Sequence, residues 1–131
     1  MSHMVEITTK IQGLDMLERA CRRLGLNLMR GKTKARYYGN KVVTCDHAIE
    51  VPSCGFDIGV KKQSDKSYLL MADFYGQEGR KLEEVCGKEL GRLKQAYQAV
   101  VAKVVAQSKG FTVEETKVNG KQRVRCWRMV Q

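Results

Sequence analysis

Only one of the 131 residues is proline (Pro52), only two are histidine (His3 and His47), and only one is tryptophan (Trp127). With so little proline there is no proline-rich linker, and no low-complexity stretch or internal repeat is present. Two histidines leave little material for a histidine-built metal site. No apolar run approaches the roughly 20 residues that span a bilayer. The first residues lack the continuous apolar segment of a secretory leader. Glycines are present, but none cluster ahead of Gly31-Lys32-Thr33. That tripeptide matches only the end of a phosphate-binding loop, so it reads as a basic turn.

Acidic side chains are also in deficit. The chain carries 24 Lys+Arg against 14 Asp+Glu, a formal charge of +10. Residues 41–78 hold four basic and six acidic side chains, so the excess lies toward both ends. A charge of this sign fits a polyanion or an acidic protein surface as partner. It also fits a soluble protein with a lysine-rich surface. Five cysteines, an odd number, in a chain with no export signal read as free thiols in a reducing cytoplasm.

At 43% hydrophobic residues the chain can build a core, and its length fits a single domain over residues 1–131. Val5, Ile7, Thr9 and Ile11 alternate with polar residues and predict a half-buried strand. Gly13 ends it. Asp15, with Glu18 three residues on, predicts a helix start, and Gly25 predicts its end. Leu26–Met29 reads as a short strand. Arg36–Tyr38 and Val42–Thr44 flank Gly39-Asn40 as a hairpin. Alternation over residues 56–61 and 68–74, around a polar turn, predicts a second hairpin. A third is predicted around Asn119-Gly120, a dipeptide suited to a type I′ turn.

From Lys81 to Val105, Leu82, Cys86, Leu90, Leu93, Tyr97, Val101 and Val104 recur every three or four residues, the pattern of one helical face. Lys81, Lys88, Arg92 and Lys103 then form a basic ridge opposite that face. Gly87 and Gly91 inside the segment mark a bend or a close backbone approach. The sum is an α+β domain: a single mainly antiparallel sheet with two helices on one face, one of them long.

Met1-Ser2-His3, the helix from Leu14 to Leu24, Gly55-Phe56-Asp57-Ile58-Gly59, Ala72-Asp73 and Gly110-Phe111 together make the chain resemble a small uncharacterised family. It includes the chloroplast and cyanobacterial hypothetical reading frame thirty-five. The resemblance spans most of the chain and implies no catalytic or ligand-binding residue. Only Phe74 and Tyr75 follow Ala72-Asp73, where members often have a longer aromatic stretch. The last strand is richer in arginine than the family pattern.

Several groups have chemistry to offer. A hairpin centred on Asp65 sets Asp57 opposite Asp73, and two such carboxylates need a shared proton, a metal or a cation. Cys45, His47 and Cys54 have zinc-ligand chemistry but no matching spacing and no evident fourth ligand. Cys45 beside His47 has the parts of an activated thiolate. Arg123, Arg125 and Trp127 share a strand face, and Arg36, Tyr37 and Tyr38 lie near Lys41. Both groups could stack bases and meet phosphates.

Three functions compete. The first is non-enzymatic nucleic-acid binding, RNA more than duplex DNA, because stacking needs accessible bases. It expects steep salt dependence, with Lys81, Lys88, Arg92 and Lys103 as backbone contacts. The second is a protein-interaction module or small subunit, which expects an exposed apolar patch beside the ridge. The third is a metal-dependent enzyme using Asp57 and Asp73. No cofactor is implied, and no nucleophile, base and charge-stabilising group converge.

Overall fold

The computed structural model describes residues 4–118 and 121–128. The order is β1 (Val5–Ile11), α1 (Leu14–Arg23), β2 (Asn27–Arg30), β3 (Lys34–Tyr37), β4 (Lys41–Thr44), β5 (His47–Glu50), β6 (Asp57–Lys62), β7 (Tyr68–Ala72), α2 (Gly76–Cys86), α3 (Gly91–Ser108), β8 (Phe111–Val118) and β9 (Lys121–Arg128). The α+β class and mainly antiparallel sheet follow from the patterning. A five-stranded antiparallel sheet runs β1-β7-β6-β5-β2. The hairpins β3–β4 and β8–β9 are separate two-stranded sheets.

Strand β6 shows how the layers form. Successive side chains point to opposite faces of a strand. Ile58 and Val60 enter the main core with Leu17 and Cys21 of α1, Leu82 of α2, and Leu93 and Tyr97 of α3. Gly59 faces the other way, where Ala35, Cys45, Ala48 and Met71 make a second small core. Any Cβ at Gly59 would lie 3.1 Å from Met71 Cε and 3.6 Å from Ala35 Cβ. Glycine there lets β3–β4 lie close against the sheet. The helices therefore cover one face and this hairpin covers the other.

Helix α1 begins at Gly13, which offers no side-chain cap. Asp15 sits in the first turn and ion-pairs with Arg30 at 2.7 Å, so it is a strand-to-helix tie and not the cap its position predicts. Tyr97 fastens the far end of β1 by accepting a 2.7 Å hydrogen bond from the Gln12 amide.

The long helical region is present over residues 76–108, but it is broken at residues 87–90. Gly87 (φ +83°), Glu89 (φ +53°) and Leu90 (φ +60°) leave the right-handed helical region. Leu90 is wholly buried, and its packing holds a backbone conformation that costs a non-glycine residue about 1–2 kcal/mol. The apolar stripe crosses this break intact: Leu82, Cys86, Leu90, Leu93 and Tyr97 are all buried. The basic ridge does not cross it, because its four residues no longer share one helical cylinder.

Candidate functional site

The hairpin register comes within two residues of Asp57 and Asp73. Gly59 pairs with Met71 and Lys61 with Leu69, so the turn is centred on Asp65 as the sequence predicts. The ladder ends at Gly59–Met71; carried two residues further it would bring position 57 toward position 73, and both carboxylates bond backbone amides of the β3–β4 hairpin. Both aspartates are buried, at 0% and 1% exposure. Both are engaged by hydrogen bonds inside the protein. Asp57 Oδ2 accepts bonds from Arg36 N and Nε, and Oδ1 accepts one from Arg36 Nη2, each at 2.9 Å. Lys32 Nζ stands 3.6 Å from Oδ2. Asp73 uses one oxygen for each of two backbone amides: Oδ2 for Tyr38 (3.2 Å) and Oδ1 for Tyr75 (3.0 Å). Cations and amides thus surround this pair. Among the described residues, no three His, Cys, Asp or Glu side chains gather as a metal site.

These bonds make the aspartates two fasteners of one hairpin. Burial raises the Asp57 carboxyl, but the hydrogen bonds and charge of Arg36 more than offset it, and the net shift is downward. Asp73 bonding the amide two residues on is an Asx turn, which fixes the chain as it leaves β7.

The held segments enclose a groove of about 640 Å³. Tyr38 and Tyr75 stand at it, with ring centroids 4.8 Å apart and planes at 84°. They are 45% and 46% exposed. The ring of Tyr38 lies over Gly76, where a Cβ would come within 3.7 Å of it. Arg36, Lys41, Asn40 and Gln77 also line the groove. So does Glu78, whose Oε1 accepts the Gly55 amide at 2.6 Å and whose Oε2 pairs with Lys81 at 2.8 Å. Val42, 50% exposed, completes an apolar rim.

The predicted contact residues are distributed unevenly around this site. Arg36, Tyr37 and Tyr38 line the groove together. Lys81 is paired with Glu78. Arg92 donates to the carbonyls of Glu84 and Val85, tying the start of α3 to the end of α2. Lys88 is exposed on the break, and Lys103 is half-buried on α3. Arg125 is exposed on β9, opposite Glu114. The register pairs Arg123 with Thr116 and Trp127 with Thr112, but the Arg123 and Trp127 side chains lie outside the described residues. His3 and the Asn119-Gly120 turn also lie outside them.

Sequence reasoning missed Tyr75 and Gln77 as site residues. The signal was available in Asp73-Phe74-Tyr75, an aspartate positioned to fix the amide two residues on. Tyr38, Val42 and Tyr75 are exposed apolar side chains at this groove.

The cysteines do not converge on His47. The Cys45 thiol reaches the Lys32 carbonyl (3.5 Å) within the hairpin-side core. Cys54 belongs to the helix-side core, where its thiol reaches the Glu78 carbonyl (3.3 Å). His47 Nδ1 accepts the Gly31 amide at 3.0 Å. This arrangement gives neither a zinc set nor a thiolate beside a base. Cys21 and Cys86 are free and buried, and burial is the largest cause pushing their thiols up to about 12. Since the thiolate is the reactive form, both are expected to resist iodoacetamide at about pH 8 until the protein is unfolded. Mass spectrometry of alkylated peptides reads this directly. Rapid labelling of either in the folded protein would contradict the burial.

A model of the family described as "Protein of unknown function (DUF1257)" matches residues 20–126, and the chain belongs to that family. Searches of curated proteins and of solved structures gave no match. No helix is long and apolar enough to cross a membrane among the described residues.

Proposed function

We propose, with the family supplying no activity to start from, that this protein binds single-stranded nucleic acid, RNA in particular, and does so without catalysing a reaction. The observation that carries this reading is the exposed Tyr38–Tyr75 pair at the groove, with Arg36 and Lys41 beside it. Ring faces accept bases of any sequence, each contact contributing about 1–3 kcal/mol. The overall charge of +10 supplies the attraction that brings a polyanion to the surface. Free buried thiols support a cytoplasmic setting. Within the family, the run from Gly55 to Gly59 followed by Ala72-Asp73 supports kinship with the group that includes reading frame thirty-five of chloroplasts and cyanobacteria.

The test is purification from the native host, with and without nuclease, and identification of what is bound. RNA that co-purifies and rebinds to the nuclease-treated protein is the expected result. A protein partner retained after nuclease, with no RNA recovered, would replace this reading with an interaction module. Tyr38, Val42 and Tyr75 would then be its apolar contact.

A further inference from the structure

The cations near the groove are largely committed inside the protein. Arg36 gives Nε and Nη2 to Asp57, and Lys81 is held by Glu78. Lys32 lies between Glu50 (3.0 Å) and Asp57. Lys41 is the groove cation with no carboxylate partner among the described residues. A Cβ on Gly39 would meet the Lys41 side chain at 3.8 Å, so the lysine stem folds back along the hairpin turn. Glu78, the groove's acid, pairs with Lys81 through one oxygen and accepts the Gly55 amide with the other.

The backbone that carries the two rings, by contrast, is held, and the rings meet edge to face. One buried carboxylate, Asp73, holds the backbone of both tyrosines. The Tyr38 ring lies over Gly76, within ordinary van der Waals reach of a Cβ there (3.7 Å). The amides of Asn40 and Gln77 are exposed and make no hydrogen bond among the described residues, so they are available to the edge of a planar ligand. A site with exposed rings on a held backbone and little uncommitted charge recognises bases more than backbone.

We propose that the groove is a base seat: it takes an unpaired base of single-stranded RNA on Tyr38 and Tyr75, with Lys41 as its principal phosphate contact. This rests on the RNA-binding reading and narrows it, because the basic ridge then contributes little to binding. The two mechanisms differ in salt dependence. Each phosphate contact with a single strand adds about −0.7 to the slope of log K against log salt. A base seat with one phosphate contact gives a slope of about −0.7. A ridge of four cations gives about −2.8.

The experiment is anisotropy of a labelled oligoadenylate with the full chain across a salt series. Expected are a shallow slope, a loss of roughly 5- to 150-fold for Tyr38→Ala and for Tyr75→Ala, and affinity retained in Tyr38→Phe and Tyr75→Phe. Lys88→Glu is expected to leave affinity within about twofold, as an exposed charge outside the seat. A steep slope with unchanged affinity in both alanine variants would overturn the base seat while leaving RNA binding in place. No binding of oligoadenylate or of any other oligoribonucleotide at low salt would overturn both.

Discussion

Gly79→Ala is expected to destabilise the protein by about 3 kcal/mol or more, although alanine is the better helix former by about 1 kcal/mol. Gly79 is buried in α2, where the chain leaving β7 passes directly over the helix. A Cβ at this position would lie 2.1 Å from the carbonyl carbon of Phe74 and 2.5 Å from its oxygen. Those are backbone atoms, and no rotamer change can relieve the overlap. The segment from Phe74 to Tyr75 would have to lift, which strains the Asp73 bond to the Tyr75 amide and the contact of Tyr75 with Tyr38. A drop of about 10 °C or more in Tm follows for a chain of this size. Gly91→Ala is the matching control. Gly91 has right-handed helical angles and nothing within 4 Å of an added Cβ. There alanine is expected to be neutral or to stabilise by up to about 1 kcal/mol. Thermal and urea unfolding of both variants decide the point, and equal effects at the two glycines would contradict the close approach at Phe74.

The same contrast shows where sequence patterns carry structural information and where they stop. Alternation over β6 and β7, with a polar turn between them, was enough to give the hairpin its register, Gly59 with Met71 and Lys61 with Leu69. Short-range periodicity fixes register because a one-residue slip would turn every apolar side chain outward. It says nothing about which distant segment covers the second face of the sheet. The partner of Asp57 is Arg36, 21 residues away on a different hairpin, and no spacing rule connects them. A paired-carboxylate pattern therefore leaves proton, metal and cation open, and only the fold brings Arg36 and the backbone amides to these two groups.

The break in the long helix was half legible. Gly87 marked a possible bend, and it has φ +83°. Glu89 and Leu90 gave no sign, because neither residue type favours a positive φ. Burial of Leu90 overrides local preference there. Strand β5 escaped notice for another reason: its buried residues Ala48 and Ile49 stand side by side, so His47–Glu50 shows no alternation. The groove was legible on its β3 side, where Arg36, Tyr37 and Tyr38 are consecutive. Its other wall comes from the start of α2 and became visible only once Asp73 was seen to bind Tyr38 and Tyr75 together.

Asp57→Ala is expected to cost about 2–4 kcal/mol at neutral pH and to loosen β3–β4 from the sheet. The substitution removes three hydrogen bonds to Arg36. Bonds involving a charged group contribute about 1.5–3 kcal/mol each, but they are not additive here. The Arg36 side chain is 48% exposed and can turn to water, which keeps the loss below that of a fully stranded buried charge. The Arg36 amide, part-buried, also loses its acceptor. Asp57→Asn separates charge from shape. The folded Asp57 has a carboxyl pKa depressed below its unfolded value, so its contribution is fully present above about pH 4–5. It is lost as pH falls through the folded pKa, where protonation breaks the pairing with Arg36. The native protein should therefore lose stability across that acid window faster than Asp57→Asn, which has no proton to take up at this position. Comparing the two proteins cancels the other acids, including Asp15 and Glu78, whose carboxyls are also held low by Arg30 and Lys81. Urea midpoints measured near pH 7 and near pH 3 supply the comparison: the gap between native and variant should narrow at the lower pH. A gap that stays constant would mean the charge on Asp57 contributes nothing to holding the hairpin. Because Arg36 and Tyr38 sit on the hairpin that Asp57 secures, the same variant should weaken oligoadenylate binding at neutral pH under conditions where the main sheet remains folded.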